Sequence, residues 1–185
     1  MKARTRFAGV AALTAVALGC AIYPASSADE IPPPRPKVVA EATTEPYDSA
    51  TKGALQVKGD TADWFNVHLD GKSAGPKVPP RLGSVAELAP GTYEVFVNKT
   101  KREVTVRAGE KTILLTGTLV VEGKGDWYTP YQGKEAKLAG VQPTLGSPVA
   151  LFAGTYSVTV QVGTKSEKLT DDAQVAAGQK TVLKR

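Results

Sequence analysis

The sequence has 185 residues, room for one ordinary domain or two small ones, with 18 Gly and 13 Pro against 6% aromatic residues and one Met. That balance favours many turns around thin cores over one large helical core. The formal charge of +5 falls to 20 basic against 18 acidic side chains once Lys2, Arg4 and Arg6 are set aside with the leader described below. The remaining basic residues are scattered, which excludes the clustered cationic stripe of a nucleic-acid binder.

Residues 1–28 read as a secretory signal peptide: a positive start (MKARTRF), an apolar run (GVAALTAVALGCAI), and a small-residue end with Ala28 at the cut position and Ser26 two before it. Pro24 breaks the apolar helix ahead of the cut, so the backbone there can lie extended in a peptidase cleft. The apolar run is about 14 residues, short of the roughly 20 needed to span a bilayer. A mature chain without a transmembrane helix is therefore expected, placed in the periplasm or secreted. Cys20, behind Ala17, Leu18 and Gly19, resembles the cysteine of a bacterial lipoprotein box, with Ala17 and Leu18 in swapped order. Two readings stand: a lipid anchor at Cys20, giving a membrane-anchored lipoprotein, or a small apolar residue in a discarded leader. As the only cysteine in the sequence it excludes intrachain disulfides.

Residues 29–52, DEIPPPRPKVVAEATTEPYDSATK, carry five prolines and no sustained periodicity, and read as a Pro-rich disordered linker that is semi-rigid where extended. Beyond Gly53 the chain repeats itself. The segment 88-LAPGTYEVFV-97 returns as 151-LFAGTYSVTV-160, an offset of 63 that also carries Trp64 onto Trp127, Phe65 onto Tyr128 and Leu82-Gly83-Ser84 onto Leu145-Gly146-Ser147. With small gaps, 53-GALQVKG-59 returns as 117-GTLVVEG-123 and 108-AGEKTILL-115 as 177-AGQKTVLK-184. An internal repeat of this density fixes two tandem units, 53–116 and 117–185.

Within each unit apolar residues alternate, as in Tyr93, Val95 and Val97 or Tyr156, Val158 and Val160, which predicts strands. Asp70-Gly71, Pro90-Gly91 and Ala108-Gly109 supply turn signals between them. The fold class expected is all-β: two small antiparallel β-sandwich units, each of six or so strands. Only Thr116-Gly117 separates the last strand of the first unit from the first of the second, so a fixed orientation is expected, with a shared interface compensating for the little core each unit buries alone.

The order of an apolar strand, Leu69-Asp70-Gly71-Lys72, a Pro-rich turn, Leu88 to Val97, a strand at Val104 and a final Ala-Gly-x-Lys-Thr-x-Leu resembles the PEGA domain family and related Ig-like accessory units of bacterial envelope proteins. The second unit matches through Leu151 to Val160 and Ala177 to Leu183, and neither copy carries the Pro-Glu-Gly-Ala tetrad that names the family. The resemblance implies a binding or spacer role without a reaction, in contact with an envelope protein or a cell-wall glycan.

The residues offer little chemistry to set against that. His68 is the only histidine, and alternation points it away from Val67 and Leu69; the repeat puts Tyr131 at its counterpart position, so the second copy does not retain it. Asp60 with Asp63, and Asp171 with Asp172, lack the oxygen spacing of a cation loop. No cofactor, metal site or catalytic residue is expected. The recurrent aromatic pairs Trp64-Phe65 and Trp127-Tyr128, with Tyr131 nearby, are the candidate ligand-binding residues, since exposed aromatic faces stack on sugars or grip a partner. The competing and preferred reading makes each Trp the plug of a small core. The irregular loops 73–84 and 136–148 bind a ligand or pack across the end of the unit. The function expected is a non-catalytic exported cell-envelope binding or spacer module acting through protein or cell-wall contacts, and the alternative is a glycan-binding module using exposed Trp and Tyr faces.

Overall fold

Strand-forming patterns dominate the chain from Gly53 on, and a computed structural model, describing residues 41–98, 100–132 and 142–185, folds them into thirteen strands with no helix among the described residues. The segment read as a leader, with Cys20, the linker segment through residue 40 and residues 136–141 of the second irregular loop lie outside the described residues. In chain order the strands are β1 (Ala42–Pro46), β2 (Gly53–Lys58), β3 (Phe65–Leu69), β4 (Lys72–Ser73), β5 (Val85–Leu88), β6 (Gly91–Val97), β7 (Thr100–Val106), β8 (Glu110–Glu122), β9 (Trp127–Gln132), β10 (Val149–Phe152), β11 (Gly154–Val162), β12 (Lys165–Val175) and β13 (Lys180–Lys184).

The long strand β8 belongs to both repeats. Its first half pairs antiparallel with β1 and parallel with β2; its second half pairs antiparallel with β10 and parallel with β13. Strand β5 extends the same sheet by pairing antiparallel with β2, and the other strands form a sheet ordered β4-β3-β6-β7 in the first unit and one ordered β12-β11-β9 in the second. Antiparallel pairing holds in most of the fold, but the first and last strands of each unit lie side by side and parallel. A parallel pair needs a long crossover, and the intervening strands of the unit supply it.

The duplication is visible in backbone geometry. Gly53 sits opposite Leu88 in β5, and Gly117 opposite Leu151 in β10. A Cβ on Gly53 would strike the Arg107 carbonyl, and one on Gly117 the Ala176 carbonyl, so both positions require glycine for the same close approach. The Asp70-Gly71 pair, at φ 51° and 74°, makes the tight hairpin expected between β3 and β4.

One segment departs from the sequence reading. Ala42–Pro46, the end of the segment read as disordered linker, is a strand on the outer edge of β8, with Ala42 opposite Leu114 and Pro46 opposite Glu110. All five of its residues are exposed, so no inward face leaves an apolar alternation to read. Pro46 is tolerated because it closes an edge strand, where its missing N–H is not needed.

Each unit has a core. Leu55, Val57, Phe65, Val67, Tyr93, Val95 and Val106 fill the first; Leu119, Val121, Tyr128, Tyr156, Val158 and Val175 fill the second. Strand β10 is buried along its whole length and faces both: Val149 and Leu151 pack in the second core, while Ala150 and Phe152 pack in the first. Polar contacts seal this wall. Asp63 Oδ2 accepts from Ala150 N at 2.9 Å, Asn98 Nδ2 donates to Ala150 O at 3.1 Å, and Phe152 N donates to the buried Thr100 hydroxyl at 3.1 Å. Arg102 donates to Ala153 O at 2.9 Å. The two units are joined by a continuous strand and a shared core wall.

Candidate functional site

Period-two alternation decides which aromatics reach the surface. In β3, Phe65 and Val67 point inward at 0% and 2% exposure, so Trp64, Asn66 and His68 fall on the outer face. In the neighbouring β6, Tyr93, Val95 and Val97 point inward, leaving Glu94 and Phe96 outside. The register sets Asn66 opposite Phe96 and His68 opposite Glu94. His68 and Phe96 are therefore diagonal neighbours, their rings 4.8 Å apart and tilted by 49°.

Trp64 opens this face. It is 44% exposed, bridges to Arg81, and carries the Arg81 guanidinium 4.7 Å above its ring, a cation–π contact that orients the indole. Asn98, at φ 43° in the turn after β6, completes the row. Trp64, Asn66, His68, Phe96 and Asn98 line a shallow groove of about 470 Å³. It sets exposed aromatic faces beside amide groups.

The sequence candidates separate on this geometry. Phe65 and Tyr128 are fully buried and are the plugs of the two cores, the role the sequence reading preferred for the tryptophans. Trp64 and Trp127 each precede such a plug by one residue, and alternation turns both away from it. Trp127 is half-buried and bridges to Thr144; Tyr131 is half-buried at the end of β9. The second unit repeats the backbone without repeating the groove: the positions of Asn66, His68 and Phe96 hold Thr129, Tyr131 and Thr159. Phe96 is hidden in the sequence by the inward Tyr-Val-Val series of its strand. An aromatic residue on the polar side of a clean alternation was the available signal.

Tyr128 has a structural role. Its hydroxyl donates toward Leu119 O at 2.9 Å and Ser147 O at 2.7 Å, and burial pushes its pKa up from the usual tyrosine value. Tyr93 and Tyr156 bond back to carbonyls four residues upstream, Ala89 O at 2.8 Å and Phe152 O at 2.6 Å. Three of the four paired carboxylates are likewise engaged. Asp63 holds Ala150 N and the Thr61 hydroxyl, Asp171 pairs with Lys168, and Asp172 takes the Thr170 hydroxyl. Among the described residues no group of three His, Cys, Asp or Glu side chains is placed to hold a metal ion, and no helix is long and apolar enough to cross a membrane. No family model, no curated protein and no solved structure matches the chain.

Proposed function

We propose that this chain is a non-catalytic exported binding module of the cell envelope, a tandem pair of Ig-like, PEGA-like sandwich units whose first unit takes a glycan chain in the groove on β3 and β6. The observation that carries the reading is the row Trp64, Asn66, His68, Phe96 and Asn98 on one outer face. Stacking on Trp64 and Phe96 suits the apolar faces of sugar rings, and Asn66, with the part of the Asn98 amide not given to Ala150 O, supplies donors and acceptors for hydroxyls. The repeated strand order and the two tyrosines bonded back upstream support the sandwich reading. His68 packs on Phe96 rather than on a nucleophile, which favours a contact surface over a reaction.

The spacer role draws on a different observation, the junction. The thirteen residues of β8 run unbroken through both units, about 40 Å at the usual strand rise, so the pair acts as one stiff body. A stiff body holding the groove out from the envelope surface combines both roles.

The test is tryptophan emission of the full chain carrying Trp127→Phe, which leaves Trp64 as sole reporter, titrated with peptidoglycan fragments. A saturable shift that Phe96→Ala abolishes supports the reading. Emission indifferent to glycan, with Trp64 quenched freely by acrylamide throughout, refutes it.

A further inference from the structure

The repeat gives one edge of the molecule a template. In the first unit the outer edge of β8 is covered by β1, whose sequence from Glu41 is EATTEP. The equivalent strand of the second unit is β13, since 109-GEKTILL-115 corresponds to 178-GQKTVLK-184. On its inner side β13 pairs with β8. The Gln179 carbonyl and the Arg185 N–H point toward β8, so alternation leaves the backbone groups of Lys180, Val182 and Lys184 on the outer side. No described strand pairs with that side.

We infer that the outer edge of β13 is a strand-docking site for an extended acidic segment of a partner protein, bound antiparallel with two carboxylates four residues apart facing Lys180 and Lys184. Three observations converge on it. The first is the register. Carrying the β1–β8 pairing over to β13 sets an incoming Glu45 equivalent opposite Lys180, as Glu45 itself meets Lys111 at 2.6 Å, and sets a Glu41 equivalent opposite Lys184. The second is exposure. Ile113, opposite Thr43 of β1, is 3% exposed, whereas its counterpart Val182 is 41% exposed, an apolar side chain at the centre of an uncovered edge. The third is sign. Two β13 edges paired with each other antiparallel about Val182 would set Lys180 against Lys184, so the edge disfavours its own copy and favours an acidic strand.

The chain's own β1 does not fill the role. There is one β1 for two equivalent edges, and it is held on β8 by a short connection that gives it an effective concentration on the order of millimolar. Backbone hydrogen bonds would supply the affinity, and the two charge pairs the choice of partner and register. The inference stands independently of the groove on β3 and β6.

The probe is a capped peptide of the sequence EATTEPY, added to the full isotope-labelled chain, with amide shifts and hydrogen exchange read at each residue. Saturable protection at Lys180, Val182 and Lys184 is expected. Val182→Pro, which an edge strand tolerates, should abolish it by removing the outward N–H. Lys180→Glu with Lys184→Glu should weaken binding at least tenfold, and a peptide with lysine at both glutamate positions should restore it, which a folding defect could not do. Protection confined to residues 110–114, from exchange with β1, would overturn the inference. So would concentration-dependent self-association lost in Val182→Pro, because the occupant would then be a second copy.

Discussion

Phe152 lies by sequence in the second unit, yet its ring, 2% exposed, packs among the side chains of the first core. Phe152→Ala should therefore loosen the first unit, with a cost set by the ring removed and the cavity left: about 3–5 kcal/mol for a buried Phe truncated to Ala. Two features push toward the upper part of that range. The wall is pinned by hydrogen bonds that it donates to Asp63 and Thr100 and accepts from Asn98, so collapse into the space is restricted, and the ring also lies under the Arg102 guanidinium at 5.9 Å. Leu151→Ala, one residue earlier and facing the second core, is the internal control, at about 2–5 kcal/mol. Native-state hydrogen exchange resolves the two: Phe152→Ala should speed exchange at Val95 and Val104 of the first unit, and Leu151→Ala at Val158 and Val160 of the second. Denaturant unfolding should stay a single transition, since β8 and β10 couple the units. If Phe152→Ala leaves Val95 and Val104 as protected as before and unprotects only the second unit, the shared wall is refuted.

Tyr128→Phe should cost about 1–3 kcal/mol by removing the one hydroxyl proton shared between the Leu119 and Ser147 carbonyls, measured by the urea midpoint; an unchanged midpoint would show that the hydroxyl is dispensable. The hold of β1 should depend on acid. Glu45, hydrogen-bonded to and attracted by Lys111, and Glu87, hydrogen-bonded by Tyr47 and Lys52, both sit below the usual carboxyl value of 4.5. A depressed folded pKa gives stability that is present above 4.5 and lost as pH falls through the lower folded value, so the hold on β1 and on the turn after it should weaken in acid while the cores stay closed, modestly because both carboxylates are exposed. Amide shifts of Thr43 and Glu45 followed across that range test this, and native shifts persisting until global unfolding would contradict it.

The alternating strands were legible because one face of each is buried, and the duplication because both copies retain the residues that turn and pack. What stayed hidden depends on an environment the repeat does not share. Strand β5 reads Val-Ala-Glu-Leu with Glu87 outward, and the corresponding outward position of β10 is Ala150, followed by Phe152 where the first unit has Ala89. That exchange of Glu for Ala and Ala for Phe is the trace left by burying the second unit's outer face against the first, and only comparison of the two copies exposes it. The strand β1 left no trace of that kind, since an edge strand exposed at every position has neither face to mark. For the aromatic pairs, composition alone favoured Trp as the plug. The parity of the strand decides otherwise, because Phe65 shares the face of Val67 and Trp64 cannot.

The duplication left each unit a different free surface. Joining two copies end to end through β8 uses the outer face of β10 as wall, fixes Asn98 and Asp63 in the seam, and leaves the outer face of β3 and β6 open in the first unit. That face keeps Trp64, His68 and Phe96, whereas the second unit has Thr129, Tyr131 and Thr159 at the positions of Asn66, His68 and Phe96. The reverse holds at the edges: the first unit's outer edge is taken by β1, and the second unit's, at β13, is paired by no described strand and carries Lys180 and Lys184. One unit thus keeps a face and the other an edge. Because the shared strand and the common wall fix the two units together, a ligand on the face and a strand on the edge would be held by one stiff body, and neither could displace the other.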